Sequence, residues 1–139
     1  MDYKKFGNKY FVRLDKGEEI IGKLKEFCEE QNIKLGWIKG IGAVRQAKIG
    51  LFEVDSKVYH TKELKGDYEI TSLLGNISTK DGKVYLHLHI NLSDDGYKTY
   101  GGHLDSAIIS ATGEIIIESI EGSVDREFNE EIGLNLYKF

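Results

Sequence analysis

The segment Val84-Tyr85-Leu86-His87-Leu88-His89-Ile90-Asn91-Leu92 constrains the fold of this chain more than any other. Its residues alternate strictly between apolar and polar, the period-two pattern of a β-strand with one face buried. Val84, Leu86, Leu88, Ile90 and Leu92 make an unbroken apolar row that belongs in a core. Tyr85, His87, His89 and Asn91 make the opposite face, which must open onto water, a cleft or a partner subunit. Asp81-Gly82 just ahead is the favoured pair for a two-residue type I′ turn, so Tyr68 to Thr79 is expected to pair back as the other arm of a hairpin. Counting outward from Lys80 opposite Lys83 sets Asn76 across from His87, Leu74 across from His89 and Ser72 across from Asn91.

This register points to a metal site. Residues two apart on a strand share a face with Cα atoms about 6.5–7 Å apart, and two imidazoles at that spacing can converge on one cation, since zinc binds a neutral ring nitrogen at about 2.0–2.1 Å. Asp94-Asp95-Gly96 supplies a turn, Tyr97 to Tyr100 returns as a neighbouring strand, and Gly101-Gly102 lets the backbone approach closely before His103, the third ligand. The spacing leaves open whether His103 joins the pair of its own subunit or of a neighbour. Asn76 is expected to bond the ring nitrogen of His87 that the metal leaves free, the kind of contact that fixes a tautomer. His60, among Lys57, Tyr59 and Lys62, reads as a solvent-facing strand residue.

Elsewhere one helix is legible. Asp15 can cap it, with Glu18 three residues on as in a capping box, and Ile20, Ile21, Leu24, Phe27 and Cys28 fall on one face, ending near Asn32. Leu35 to Lys39 and Ala43 to Val54 read as two strands meeting at Gly40-Ile41-Gly42, a tight turn or bulge; a phosphate loop would need a further glycine and a helix onset. Proline is absent, so glycine, aspartate and asparagine must make the turns. The 139 residues, 40% hydrophobic and 30% charged, fit a single domain over 1–139. Cys28 is the only cysteine, which excludes an intrachain disulfide and reads as a packed thiol. No apolar run approaches the ~20 residues of a membrane helix, and the expectation is a soluble, unexported, cytoplasmic protein.

Net charge is −4 and unevenly placed: residues 1–65 carry 14 Lys and Arg against 10 Asp and Glu, and residues 66–139 carry 5 against 13. The histidine segment lies in the acidic half, which favours a cation. Nonspecific nucleic-acid binding needs many clustered Lys and Arg, and the only arginines are Arg13, Arg45 and Arg126.

The ordered set Gly17-Glu18, Gly40-Ile41-Gly42-Ala43, Tyr68-Glu69-Ile70, Leu73-Leu74-Gly75-Asn76-Ile77, Leu86-His87-Leu88-His89-Ile90 and Gly101-Gly102-His103-Leu104 resembles the PPC (plant and prokaryote conserved) domain family. The resemblance covers nearly the whole chain and extends to Thr112-Gly113-Glu114 and Arg126. It implies an α+β fold, a largely antiparallel sheet with one or two packed helices, and a homotrimer of the stand-alone prokaryotic type. It implies a zinc-like divalent metal on His87, His89 and His103, and a fold similar to alpha-acetolactate decarboxylase. Plant relatives carry AT hooks, whose Arg-Gly-Arg-Pro core this proline-free chain lacks.

Two functions fit these residues. One is a trimeric binding or regulatory module whose metal site serves a small-molecule ligand or protein partner, with DNA as a weakly supported partner. The other is a metal-dependent lyase or hydrolase acting on a small oxygen-rich substrate, since three histidines leave coordination positions open. For that chemistry Glu69, Glu114 and Tyr85 are the candidate acid/base groups and Arg126 the candidate partner of a substrate carboxylate. Read structurally, the same residues are surface carboxylates, a cross-strand aromatic and an ion-pair arginine. No nucleophile elbow or Walker loop is present.

Overall fold

The computed structural model describes residues 1–139. In chain order it contains β1 (Asp2–Phe6), β2 (Lys9–Asp15), α1 (Ile20–Glu30), β3 (Gly36–Glu53), β4 (Val58–Lys80), β5 (Lys83–Ser93), β6 (Thr99–Ser119), β7 (Asp125–Asn129) and β8 (Leu134–Lys138). The first six strands form one antiparallel sheet in the order β1-β2-β6-β3-β4-β5, and β5 also pairs with β6, closing β3 to β6 into a ring. β7 and β8 make a separate hairpin. A mostly antiparallel sheet with a helix was expected; the helix count is one. It is not long and apolar enough to cross a membrane.

The β4–β5 hairpin forms as its turn chemistry dictates. Asp81 and Gly82 sit at φ +52° and +75°, the left-handed values that a type I′ turn requires at both central positions. The register follows: Lys80 faces Lys83, Asn76 faces His87, Leu74 faces His89 and Ser72 faces Asn91. Leu88, Ile90 and Leu92 are buried, whereas Val84 and Leu86 are only half-buried, because the core thins toward the turn.

The helix begins differently from expectation. Glu19, not Asp15, is its N-cap, accepting from the Ile21 and Gly22 amides at 3.1 and 2.6 Å. Glu18 does reach back to the Asp15 amide at 2.7 Å, but the Asp15 carboxylate is taken by Arg13 and the N-terminal amine. Glu19 wins because its longer side chain also accepts from the Ala107 amide of β6, tying the cap to the sheet. Ile20, Leu24, Phe27 and Cys28 are fully buried, each worth about 1.5–3 kcal/mol for a large apolar side chain. Gln31 is the C-cap, close to the expected end at Asn32.

Residues 36–53 are one strand rather than two. The chain shifts register between Gly40 and Gly42 and again between Val44 and Gln46, and such bulges bend a strand without ending it. Bending lets β3 pair with β4 along one edge and with β6 along the other. Likewise β6 continues well past Tyr100 to Ser119, serving β2, β3 and β5 in turn.

Candidate metal centre

Residues directly opposed in an antiparallel ladder point to the same side of the sheet. Trp37, Asn76 and His87 therefore form one row, and Lys39, Leu74, His89 and His103 another, on the face turned away from α1. His89 and His103 are ladder partners across β5 and β6, and His87 stands two residues from His89. Gly102 permits the close approach: a Cβ there would lie 2.7 Å from the Gly50 carbonyl oxygen.

The three imidazoles meet. Ring centroids are 5.1, 5.2 and 5.6 Å apart, the Nε2 atoms of His87 and His89 are 3.3 Å apart, and one ligand nitrogen from each histidine lies within 4.8 Å of the others. Nitrogens bound tetrahedrally to zinc at 2.0–2.1 Å would be about 3.3–3.4 Å apart, so the His87–His89 pair already has that spacing. All three residues come from one chain.

Electrostatics favour the ligand form. Burial, then the nearby His103, the Arg126 charge and His89, push the His87 pKa down to about 4. Burial and His89 lower that of His103, with Asp105 pulling the other way. Imidazoles that resist protonation keep a nitrogen lone pair free for a cation. His89 is exposed and forms the open side of the cluster.

The other expected residues fall as follows. Asn76 faces His87 but its Oδ1 accepts from Arg126 Nη2 at 2.9 Å, so it serves the arginine where a bond to the His87 ring was expected. Arg126 is buried, donates from Nε to Ser78 Oγ at 2.7 Å and from Nη1 to the Asn135 carbonyl at 2.9 Å, and lies between the rings of Tyr85 and Tyr137, 4.8 and 4.4 Å from their centroids. It pins the β7–β8 hairpin to β4, without a carboxylate partner. Tyr85 is thus a stacking platform. Glu69 is exposed opposite Ser93, four residues along β5 from His89, about 13 Å away. Glu114 is exposed between Arg13 and Ile41, eleven residues along β6 from His103. Within the chain neither carboxylate is brought to the histidines. His60 is solvent-facing, 3.7 Å from Glu53, and Cys28 is buried with its thiol pushed up to about 12.

Two residues beside the cluster escaped the sequence reading. Tyr59 packs edge-on to His103 with centroids 6.2 Å apart and donates to Asp105 at 2.7 Å. Nothing in the local pattern links residues 46 apart; the pairing of β3 with β4 on one side and β6 on the other brings them together.

The family model for the Plants and Prokaryotes Conserved (PCC) domain matches residues 1–121. A crystal structure from Bacteroides thetaiotaomicron, described as a "putative DNA binding protein", is 40% identical with a TM-score of 0.97, covering 99% of this chain and 96% of its own. A metal-containing protein of Archaeoglobus fulgidus is 38% identical with a TM-score of 0.88, covering 100% and 99%. Acetolactate decarboxylase of Bacillus subtilis, 17% identical with a TM-score of 0.54 over 84% of this chain and 54% of its own, shares the fold alone. The bifunctional protein GlmU of Synechococcus sp. (strain JA-3-3Ab) is 29% identical over 121 residues, 85% of this chain, and the chain spans 18% of its length. With the family model matched over most of its length and the histidine strands registered as described, the chain belongs to the Plants and Prokaryotes Conserved domain family.

Proposed function

We propose that this protein is a cytoplasmic homotrimeric module that binds a zinc-like divalent metal through His87, His89 and His103 and uses it to hold a small ligand or protein partner. The observation that carries the reading is the convergence of three imidazole nitrogens within 4.8 Å. The suppressed protonation of His87 and His103 supports it, as does the metal-containing Archaeoglobus relative. When bound, such a metal acts as a Lewis acid toward an oxygen ligand. The chain's own contribution is to hold three imidazole donors on rigid strands and to leave the His89 side open to an incoming group. Trimer formation is supported by Trp37, Ile41 and Leu74, each about half exposed on the sheet face that carries the histidines. Nucleic acid is not favoured as the partner, given net charge −4 and three arginines, one of them buried.

Metal analysis of the purified protein tests this. Stoichiometric zinc, lost in His89→Ala and His103→Ala, is expected; stoichiometric metal retained in both variants would refute the site. A second reading, a metal-dependent lyase or hydrolase, draws on the exposed His89 and the open coordination side. It requires an acid/base group beside the cluster; Glu69 and Glu114 lie away from it, and the carboxylate the chain does bring near His103 is Asp105, which accepts from Tyr59. Turnover of small oxo-acids by zinc-loaded protein, abolished in His89→Ala, would select this reading.

A further inference from the structure

Beside the histidines, one side chain ties three strands together. Tyr59 of β4 reaches across β3 and donates its phenol proton to Asp105 Oδ1 of β6. It crosses β3 at Gly50: a Cβ there would stand 2.0 Å from Tyr59 Oη, 2.2 Å from Cζ and 2.6 Å from Cε2, so the ring occupies the space a side chain would need. Gly50 is the ladder partner of His103. Asp105 is the residue β6 leaves unpaired where Ile49 opposite Leu104 gives way to Lys48 opposite Ser106, a bulge of the kind that re-aims side chains.

His103 is thereby confined from both sides. Toward β5 stand the rings of His87 and His89, at 5.2 and 5.6 Å; toward β3 stands the Tyr59 ring, at 6.2 Å and 75°. A single imidazole on an outward strand face would otherwise sample its rotamers freely. Tyr59 is 42% exposed, too open to be a core residue whose value is burial. Burial and the Asp105 carboxylate push its phenol pKa up, so it stays a donor at any physiological pH.

We propose that Tyr59 is the positioning residue for the third metal ligand: Gly50 gives it passage, Asp105 anchors its hydroxyl, and its ring holds the His103 imidazole toward His87 and His89. This rests on the metal reading above. The function of Gly50 is then specific, because the atoms its side chain would strike first all belong to Tyr59.

Zinc affinity of the full-length protein, measured by competition with a chromophoric chelator, tests the proposal, with the thermal midpoint recorded alongside. Groups that orient a ligand are typically worth 10–100-fold in metal affinity, so Tyr59→Ala is expected to weaken zinc at least about tenfold. Tyr59→Phe, keeping the ring without its anchor, should weaken it less. Gly50→Ala should match Tyr59→Ala by displacing the ring, and the double variant should be no worse than Tyr59→Ala alone, since the obstacle has gone. His60→Ala on the same strand should bind as the unmodified protein does. Wild-type affinity in Tyr59→Ala, or losses that multiply in the double variant, would overturn the idea. If Gly50→Ala does not fold, the visible spectrum of bound cobalt decides: it should change in Tyr59→Ala and Tyr59→Phe, and identical spectra would overturn the proposal. If unmodified protein takes no zinc, the metal reading itself fails; if it does, and His89→Ala and His103→Ala lose it while Tyr59→Ala binds as the unmodified protein does, the positioning role alone fails.

Discussion

His87 carries the clearest pH consequence at the scale of single residues. Its pKa falls from 6.5 in the unfolded chain to about 4 in the fold, so between those values the unfolded state binds more protons. Stability must then decline as pH falls through that window, and above it this group contributes no further slope. Urea unfolding of metal-free protein from pH 7 to 4 checks the sign; a stability that rose on acidification across the window would contradict it. Zinc should deepen the slope, because protons and metal compete for the same nitrogens. The histidine trio was legible in the sequence because period two fixes which side chains share a face and Asp81-Gly82 fixes the register. The partner of Asn76 was not, since Arg126 lies 50 residues away and no short-range pattern links them.

Among the elements, the C-terminal hairpin hangs on one buried guanidinium. Arg126→Met would leave Ser78 Oγ, Asn76 Oδ1 and the Asn135 carbonyl without their charged donor, and bonds to charged groups are worth roughly 1.5–3 kcal/mol each. We expect a loss of at least about 2 kcal/mol, with amide exchange accelerated across residues 125–138 by hydrogen-exchange mass spectrometry; exchange confined to other segments would count against the pin. On the other face, Leu24→Ala in α1 should cost about 2–5 kcal/mol in urea unfolding as a cavity in the sealed core. That helix was readable from its 3.6-residue apolar stripe. Its cap was not, because Glu19 is selected by the Ala107 amide of β6, a tertiary donor invisible to a local capping rule.

For the whole molecule, the proposed assembly rests on the face opposite α1. Trp37, the single tryptophan, is 47% exposed there, as are Ile41 at 57% and Leu74 at 46%, and exposed apolar side chains sharing one face are where an interface would form. Sedimentation is expected to give three times 15.8 kDa, Ile41→Lys should dissociate the assembly, and Trp37 emission should shift to longer wavelength with it. A monomer at micromolar concentration, or unchanged assembly in Ile41→Lys, would remove the trimer. By itself the sequence determined the β4–β5 hairpin, its register and which histidines face outward, because alternation and turn residues act over a few bonds. Only the tertiary structure decided that residues 36–53 bend as one strand, that Glu69 and Glu114 stay apart from the cluster, and that Tyr59 reaches His103. These depend on how strands distant in sequence pair and pack, which is settled by the whole core and not by any local preference.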